Sequence, residues 1–376
     1  MDTAKSILFE PTKIKNMELR NQFVRSATYD GCAENGYVTE KQINLYKTLA
    51  EGGVGLIITG TTYVHSNGQI SKFQNSISSD EFVSWLKRLT SVVHDRGAKI
   101  AVQLFHAGRE ARFPKSSDRI PMGPSSLEKD PYFKAEYRAM TESEIWEVVR
   151  EFGNAAKRAR EAGFDAVQIH GAHAYLLSQF LSTYTNRRDD EWGGDLKNRI
   201  RIHREIYQDV RQKVGKDYPI LIKVGVQDGF PGGLDFSEGK LAAIYLAEFG
   251  FDALEISQGL RGLSDEDTEF RTKINTLDRE AYYRNWCAEI KKKVDVPVML
   301  VGGLRTFELM EEIVQNKEAD FISLSRPLIR EPGIINEWKR GDHRKAECIS
   351  CNKCFEGLIR GEKLDCVQLK RQKFLL

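Results

Sequence analysis

VPVMLVGGLRTFELMEEIVQNKEADFISLSRP, residues 296–327, is the stretch that decides the fold. Two short aliphatic and β-branched runs, 296–302 and 320–325, flank a segment of helical period over 306–319. Apolar strands joined by amphipathic helices are typical of a parallel sheet that is covered on both faces. The stretch therefore predicts a strand–helix–strand unit.

The same unit recurs along the chain, and its strands can be counted. The predicted strands are FVRSAT (23–28), VGLIITG (54–60), KIAVQLF (99–105), FDAVQIH (164–170), PILIKVG (219–225), FDALEIS (251–257), VPVMLVG (296–302) and DFISLS (320–325). Predicted helices include 80–97, 141–163, 198–215, 237–250, 276–294 and 306–319. Eight strands favour a (β/α)8 TIM barrel over a doubly wound open sheet, which shows the same alternation. We therefore predict an α/β protein with a barrel over 1–341 and a short cysteine-rich C-terminal extension over 342–376.

The composition favours a small-molecule partner. The 56 basic and 54 acidic residues are spread along the 376-residue chain, so the net charge of +2 gives no concentrated field for nucleic acid or an anionic membrane. The N-terminus lacks the apolar core of a signal peptide, and no apolar run approaches the roughly 18 residues of a membrane span. We expect a cytoplasmic homo-oligomer that binds neither nucleic acid nor membranes.

Two loops after the last strands are candidates for a phosphate site. In a (β/α)8 barrel the chemistry lies on the loops that follow the strands. The seventh strand runs into Gly302, Gly303 and Arg305, and the eighth into Ser325 and Arg326. Backbone N–H groups and a guanidinium at these positions can hold a phosphate dianion. The alternative is an ordinary turn followed by a surface arginine.

The fourth strand ends in His170-Gly171-Ala172-His173-Ala174-Tyr175. Two imidazoles and a phenol within six residues are hard to satisfy in a buried loop unless they have a function. A zinc site is an alternative, although no third ligand is adjacent in the sequence. The third strand contributes Gln103, and the fifth contributes Lys223 from an otherwise apolar run.

An inward-facing Lys223 is costly unless it meets an anion or an electron-rich ring. It is therefore a functional candidate, and the alternative is a salt bridge to Glu255 or Asp228. The long segment 106–140, rich in proline and aromatic residues, is predicted to cover the site.

Four cysteines crowd into the end of the chain: Cys348, Cys351, Cys354 and, after eleven intervening residues, Cys366. In a reducing compartment, thiolates at this spacing suit a [4Fe-4S] cluster or zinc better than disulfides. Unoccupied thiols are the third alternative.

Five motifs together resemble the Old Yellow Enzyme family of flavin mononucleotide (FMN) dependent reductases, in its NADH:flavin oxidoreductase branch. They are LFEPTKIKNMELRNQFVRSAT (8–28), IAVQLFHAGR (100–109), IHGAHAYLLSQFLSTYTNRRDDEWGGDLKNR (169–199), VGG (301–303) and SRPLIREP (325–332). The resemblance spans nearly the whole chain and implies hydride transfer from NADH or NADPH, through FMN, to the C=C bond of a small α,β-unsaturated carbonyl substrate.

The resemblance also implies a role for each candidate residue. His170 and His173 match the pair that binds the substrate's carbonyl oxygen, and Tyr175 matches the proton donor. Lys223 stands where most members have arginine, beside the electron-rich edge of the flavin. The residues implied in FMN binding are Ser26, Ala27, Thr28, Gly60, Gln103 and Lys223 for the ring, and Gly303, Ser325 and Arg326 for the phosphate.

The cysteine tail resembles the cluster segment of trimethylamine dehydrogenase and 2,4-dienoyl-CoA reductase, including the asparagine after the second cysteine. Those relatives continue into flavin and nucleotide domains, whereas this chain has no GxGxxG segment and extends ten residues beyond Cys366. Electrons would then pass to or from an external electron-transfer protein.

Three other functions stay open at this point. An amine dehydrogenase is one, although the resembling amine dehydrogenases have tyrosine where this chain has His170. A subunit that only relays electrons is the second, and it would need no proton donor such as Tyr175. The third is a flavin-free barrel isomerase or aldolase with Lys223 as a Schiff base.

Overall fold

Parallel pairing runs around a closed ring of strands. The computed structural model describes residues 6–113, 117–127, 130–359 and 362–374, and within them eight strands pair in parallel, the last with the first. The strands are β1 Phe23–Arg25, β2 Leu56–Tyr63, β3 Lys99–Phe105, β4 Ala166–Gly171, β5 Ile220–Gly225, β6 Ala253–Ser257, β7 Val298–Val301 and β8 Phe321–Leu324. The predicted (β/α)8 barrel is confirmed.

The barrel interior is a packed core at one end. The inward side chains from the first half of the strands include Val24, Leu56, Leu221, Met299 and Phe321, all buried. An N-terminal hairpin of Thr12–Ile14 and Met17–Leu19 packs its apolar side chains on this core. Because the hairpin closes the N-terminal end, a site can form only at the C-terminal end of the strands.

Helices alternate with the strands along the chain, and the last two lie in the C-terminal extension. They are α1 Glu40–Glu51, α2 Val83–His94, α3 Glu142–Glu161, α4 Leu176–Leu181, α5 Leu196–Arg199, α6 Arg201–Val214, α7 Phe236–Phe249, α8 Arg284–Lys291, α9 Phe307–Gln315, α10 Arg326–Arg330, α11 Ile334–Lys339, α12 Cys354–Ile359 and α13 Val367–Phe374. At the start of α3, the Thr141 hydroxyl accepts from the Glu144 N–H, and the Glu144 carboxylate accepts from the Thr141 N–H. This reciprocal pair is the capping box.

The helix predicted over 276–294 and the strand predicted over 23–28 are longer than the observed elements. The helix predicted over 276–294 begins only at Arg284. The carboxylate of Glu280 accepts the backbone N–H groups of Arg305 and Thr306 at 2.8 and 2.9 Å, which holds its segment against the loop after β7 and outside the helix. The strand predicted over 23–28 ends at Arg25, and the next three residues are not part of the ring of strands.

The C-terminal extension packs against the barrel: Arg305 on the loop after β7 donates to the carbonyl of Ala346. The division into a barrel over 1–341 and an extension over 342–376 stays a prediction. In the described part of the chain, no helix has the length and apolar character that crossing a membrane would require.

Gly239 in α7 tests how tightly the helical layer packs on the strands. A Cβ at this position would lie 1.8 Å from the carbonyl oxygen of Val226, just after β5. Gly153 in α3 is a matched control, because its Cβ would meet the movable carboxylate of Asp209 at 1.7 Å. We expect Gly239→Ala to lower the free energy of unfolding by about 2 kcal/mol or more, although alanine is the better helix former.

We expect Gly153→Ala to change the same quantity by less than about 1 kcal/mol, since only a side chain must move. Urea unfolding followed by circular dichroism measures both. Equal effects of the two substitutions would show that the helix is free to shift away from the loop after β5.

Candidate functional site

A cavity of about 290 Å³ opens at the C-terminal end of the strands. We call it the barrel cavity. It gathers residues from the ends of all eight strands or from the loops that follow them. The predicted site residues on its wall are Ser26, Ala27, Thr28, Gln103, His170, His173, Tyr175, Lys223, Gly303, Ser325 and Arg326.

Gly60 is the predicted site residue that does not line the cavity. It lies in β2 where the pairing with β3 shifts register between Ile58 and Thr61. A Cβ on Gly60 would come within 2.8 Å of the carbonyl oxygen of Thr28, and its N–H donates to the hydroxyl of Tyr46 at 3.0 Å. Glycine is therefore needed here to let the segment after β1 pass close to β2.

A hydrogen-bonded layer of polar side chains forms the floor of the cavity. Lys223 on β5 donates to the Ser26 hydroxyl at 2.9 Å and lies 3.3 Å from the carboxylate of Glu255 on β6. That carboxylate is fully buried and also accepts from Ser26 at 2.7 Å and from Gln168 at 2.8 Å. Gln103 donates to Gln168 at 2.7 Å. Adjacent strands thus supply neighbouring members of one network.

This network shows which carboxylate pairs with Lys223. Its partner is Glu255, one of the two expected, whereas Asp228 instead accepts from the hydroxyl of Ser182 and from backbone N–H groups. Since the lysine also lines the cavity, the ion pair holds the ammonium in place at the cavity floor.

The two imidazoles of the loop after β4 lie edge to face, with ring centroids 5.0 Å apart. His170 Nδ1 accepts the Ala172 N–H at 3.2 Å, and His173 Nε2 lies 2.7 Å from the Ser257 hydroxyl. Burial lowers the pKa of both rings well below the usual 6.5, and the positive charges of Lys223 and Arg261 lower the pKa further. Both rings are therefore neutral at neutral pH.

Backbone strain accompanies this loop. His173 and Ala174 have positive φ of 60° and 64°, a region that costs non-glycine residues about 1 kcal/mol or more each. Their N–H groups donate to the carbonyls of Gln258 and Gly259 at 3.0 Å, which holds the strained turn against the loop after β6.

No third ligand joins the two imidazoles: within the ranges that the structure describes, no three His, Cys, Asp or Glu side chains are arranged to hold an ion.

Tyr175 turns its ring into the cavity beside His170, 5.2 Å away between centroids, and packs edge-on against Phe105 at 4.5 Å. Burial raises the pKa of the phenol, and the guanidinium of Arg261 opposes that rise. This guanidinium lies 5.3 Å from the centre of the Tyr175 ring and forms a two-pronged ion pair with Glu269. The phenol is thus protonated at neutral pH.

Arg261 and Glu269 are absent from the predicted set. The position of Arg261, four residues after the end of β6 at Ser257 in SQGLRG, is a signal for a site residue. The direction of a charged side chain in a long loop, however, cannot be read from the sequence. With Phe270 from the same loop and Phe355 from the C-terminal extension, these two residues form part of the wall.

The segment 106–140, which is predicted to cover the site, is described only in part. Its residues 114–116 and 128–129 lie outside the described residues, and none of its described residues lines the barrel cavity. Glu110 and Arg112 reach only an adjoining recess, which shares Tyr175 and Arg261 with the cavity. The segment is anchored elsewhere, by a buried ion pair between Arg109 and Asp130 at 2.5 Å.

The predicted phosphate loops meet at the end of the cavity farthest along the ring from Tyr175. Gly302 and Gly303 have φ of 123° and 74°, and a Cβ on Gly302 would lie 2.7 Å from the Tyr282 ring. Ser325 shares a 2.8 Å hydrogen bond with Thr28. The Arg326 side chain, which begins α10, is buried beside them.

The four tail cysteines line one hollow, which we call the thiol cavity. Its wall also contains Arg326, Arg330 and Asn352, so Arg326 borders both cavities. Burial raises the pKa of Cys354 to about 11 and raises that of Cys348, whereas the Arg326 charge opposes both shifts. The thiols of Cys348 and Cys354 are thus protonated when free, and they would lose their protons on binding a metal. The four sulfurs line the same hollow. Within the described residues, however, they are not arranged to ligate a single metal ion.

Comparison with known proteins decides the family. The model of the NADH:flavin oxidoreductase / NADH oxidase family matches residues 7–344. The chain belongs to this family. The match ends just before the first tail cysteine.

Three relatives show the range of this family. The NADH oxidase of Thermoanaerobacter brockii is 34% identical over 94% of this chain and 54% of its own length. The cinnamate reductase of Clostridium sporogenes is 31% identical over 94% of this chain and 56% of its own length. The solved structure of histamine dehydrogenase from Rhizobium sp. 4-9 superposes with a TM-score of 0.85 at 28% identity, covering 96% of this chain and 52% of that one. This chain therefore spans about half the length of these relatives.

The lowered imidazole pKa values can be measured directly. We expect the ring nitrogens of His170 and His173 to keep the nuclear magnetic resonance shifts of neutral imidazole down to about pH 6, because burial and the Lys223 charge disfavour the proton. The signals are assigned by their loss in His170→Asn and His173→Asn. Conversion of either ring to imidazolium above that pH would contradict the described electrostatics.

Proposed function

We propose that the barrel cavity binds FMN and reduces the activated C=C bond of an α,β-unsaturated carbonyl compound with electrons from NADH or NADPH. The observation that carries this proposal is the convergence of one phenol and two neutral imidazoles, above a buried lysine, in a single cavity. The relatives named NADH oxidase and cinnamate reductase support the donor and the type of acceptor.

The residues present fit FMN. The cavity has an ammonium on its floor, and paired glycines and a guanidinium on the wall formed by the loops after β7 and β8. The Ser323 hydroxyl at its floor is buried without a hydrogen-bond partner among the described residues, as expected where a polar ligand completes the site. Bound FMN would supply the two-electron chemistry by accepting hydride from the nicotinamide and releasing it to the substrate. We assign the ring to Ser26, Ala27, Thr28, Gln103 and Lys223, with Gly60 behind them, and the phosphate to Gly303, Ser325 and Arg326.

The two imidazoles would bind the carbonyl oxygen of the substrate. Because His170 Nδ1 accepts the Ala172 N–H, its own proton lies on Nε2, which is free to donate. We assign the Ser257 hydroxyl as the donor to His173 Nε2, which puts the proton of this neutral ring on Nδ1. Two preorganised donors on one oxygen draw electron density from the alkene and stabilise the negative charge that develops there.

Tyr175 would donate the proton to the α-carbon. Its raised pKa keeps the phenol protonated, and Arg261 beside the ring would stabilise the phenolate left after transfer. The negative charge of Glu269 raises the phenol pKa and so offsets part of the lowering by Arg261. The proton and the hydride then add to opposite faces of the alkene.

We further propose that Cys348, Cys351, Cys354 and Cys366 hold a [4Fe-4S] cluster. The thiolates of a cubane cluster stand farther apart than those of a single zinc ion, which fits four sulfurs around a common hollow. Arg326 and Arg330 on the same wall would offset the negative charge of the cluster. Because the hollow shares Arg326 with the barrel cavity, an external electron-transfer protein could exchange electrons with the flavin at this end.

An amine dehydrogenase is the second candidate, favoured by the superposition with histamine dehydrogenase. It needs a base that accepts a proton from the amine, whereas Tyr175 has a raised pKa and is a poor base at neutral pH. The reductase is therefore the better-supported proposal.

Tyr175→Phe tests the assigned proton donor. We expect it to slow the reoxidation of the reduced holoenzyme by an enone about 100-fold, the usual contribution of a general acid, with little change in the rate of reduction by NADH. Stopped-flow spectroscopy under anaerobic conditions separates the two half-reactions. Tyr29→Phe is the matched control, because it removes another phenol from the same cavity wall. Equal slowing of both half-reactions by Tyr175→Phe, or a larger effect of the control, would refute the assignment.

Cys351→Ser tests the proposed cluster. We expect the wild-type chain, purified without oxygen, to contain about four iron atoms and sulfide, and the variant to lose most of both. Cys32→Ser is the control, since Cys32 is buried away from the thiol cavity. Zinc in place of iron, or iron content unchanged by Cys351→Ser, would contradict the cluster.

A further inference from the structure

Asn352 lies between the second and third tail cysteines, and its side chain bridges two parts of the barrel. Its amide oxygen accepts from Nη1 of Arg326 at 2.7 Å. Its amide nitrogen donates to the backbone carbonyl of Phe270 in the loop after β6. The backbone has φ of 58°, in the left-handed region that asparagine adopts more readily than most residues.

Arg326 is the group that both cavities share. The same Nη1 also donates to the carbonyl of Arg271 at 2.7 Å, so two oxygens from two different loops fix one nitrogen of the guanidinium. The side chain is only 8% exposed, which leaves it few other positions. A guanidinium held in this way is preorganised to meet a phosphate, and much of its binding contribution depends on that fixed direction.

The bridged loop also contributes to the cavity wall. Phe270 lines the barrel cavity and packs against Phe355 of the extension, with ring centroids 6.0 Å apart. Asn352 therefore joins three elements at one point: residues 348–354, which we call the cysteine segment, the start of α10 and the loop after β6. Movement of the cysteine segment has to move the hydrogen bond on Arg326.

We propose that Asn352 is a positioning residue that couples the thiol cavity to the flavin phosphate site by holding the Arg326 guanidinium. The inference rests on the proposed function, in which the barrel cavity binds FMN. Ordering of the cysteine segment then strengthens FMN binding, and FMN in turn orders the segment, because a coupling free energy between two sites is reciprocal.

The test is the dissociation constant of FMN, measured by quenching of its fluorescence on the full chain after removal of bound flavin. Asn352→Gly removes the bridging amide and keeps a residue that tolerates the left-handed backbone. We expect this variant to raise the dissociation constant about tenfold, the size of one charge-assisted hydrogen bond. Ile349→Ala, at an exposed position of the same segment, should change it less than about twofold.

A double-mutant cycle with Arg326→Gln separates coupling from a merely structural role. If Asn352 acts through Arg326, adding Asn352→Gly to Arg326→Gln causes little further weakening. Effects that add in the double variant would overturn the inference, because a structural role weakens binding in both backgrounds. An unchanged constant in Asn352→Gly would overturn it too.

Two further outcomes are distinguishable. If circular dichroism shows that Asn352→Gly is unfolded, Asn352→Asp takes its place. Its carboxylate would bind the guanidinium in competition with phosphate, so we again expect weaker FMN binding, and unchanged binding would overturn the inference. A wild-type chain that binds no FMN would refute the proposed function, and the inference with it.

Discussion

The buried contact between Lys223 and Glu255 is the interaction on which the rest of the site depends. A carboxylate with no exposed surface is stable only when its oxygens are paired, and leaving one buried partner alone costs about 3–5 kcal/mol. Ser26, Gln168 and Lys223 provide that pairing from three different strands or strand ends. The need to pair this carboxylate accounts for the polar side chains at the C-terminal end of the barrel interior, whereas the N-terminal end is apolar.

The ammonium of this pair also affects the pKa of His170 and His173. Burial lowers the pKa of both imidazoles and the fixed ammonium lowers it further, so both rings stay neutral and can donate hydrogen bonds. In the proposed mechanism the proton comes from the phenol of Tyr175, whose pKa burial raises. Two types of side chain in one loop thus receive different roles from their electrostatic surroundings.

The fold and much of the site could be predicted from the sequence because both follow local rules. Hydrophobic period sets the strands, and a residue at the end of a barrel strand faces the site. Arg261 and Phe355 could not be found in this way, since their positions depend on loops joined by contacts such as that of Asn352 with Phe270, far apart in the chain. Contact between Gly60 and the flavin ring stays a prediction. A register shift in β2 brings Gly60 against Thr28, and a pattern of alternation does not reveal such shifts.

The central claim, that this cavity reduces a carbonyl-activated alkene, is tested most directly by mixing the reduced holoenzyme with an enone in the absence of oxygen. We predict that the visible absorption of oxidised flavin returns and that one equivalent of saturated carbonyl product forms per flavin. A flavin that stays reduced with a series of enones, while the oxidised protein is reduced by an amine, would contradict the claim and favour the amine dehydrogenase.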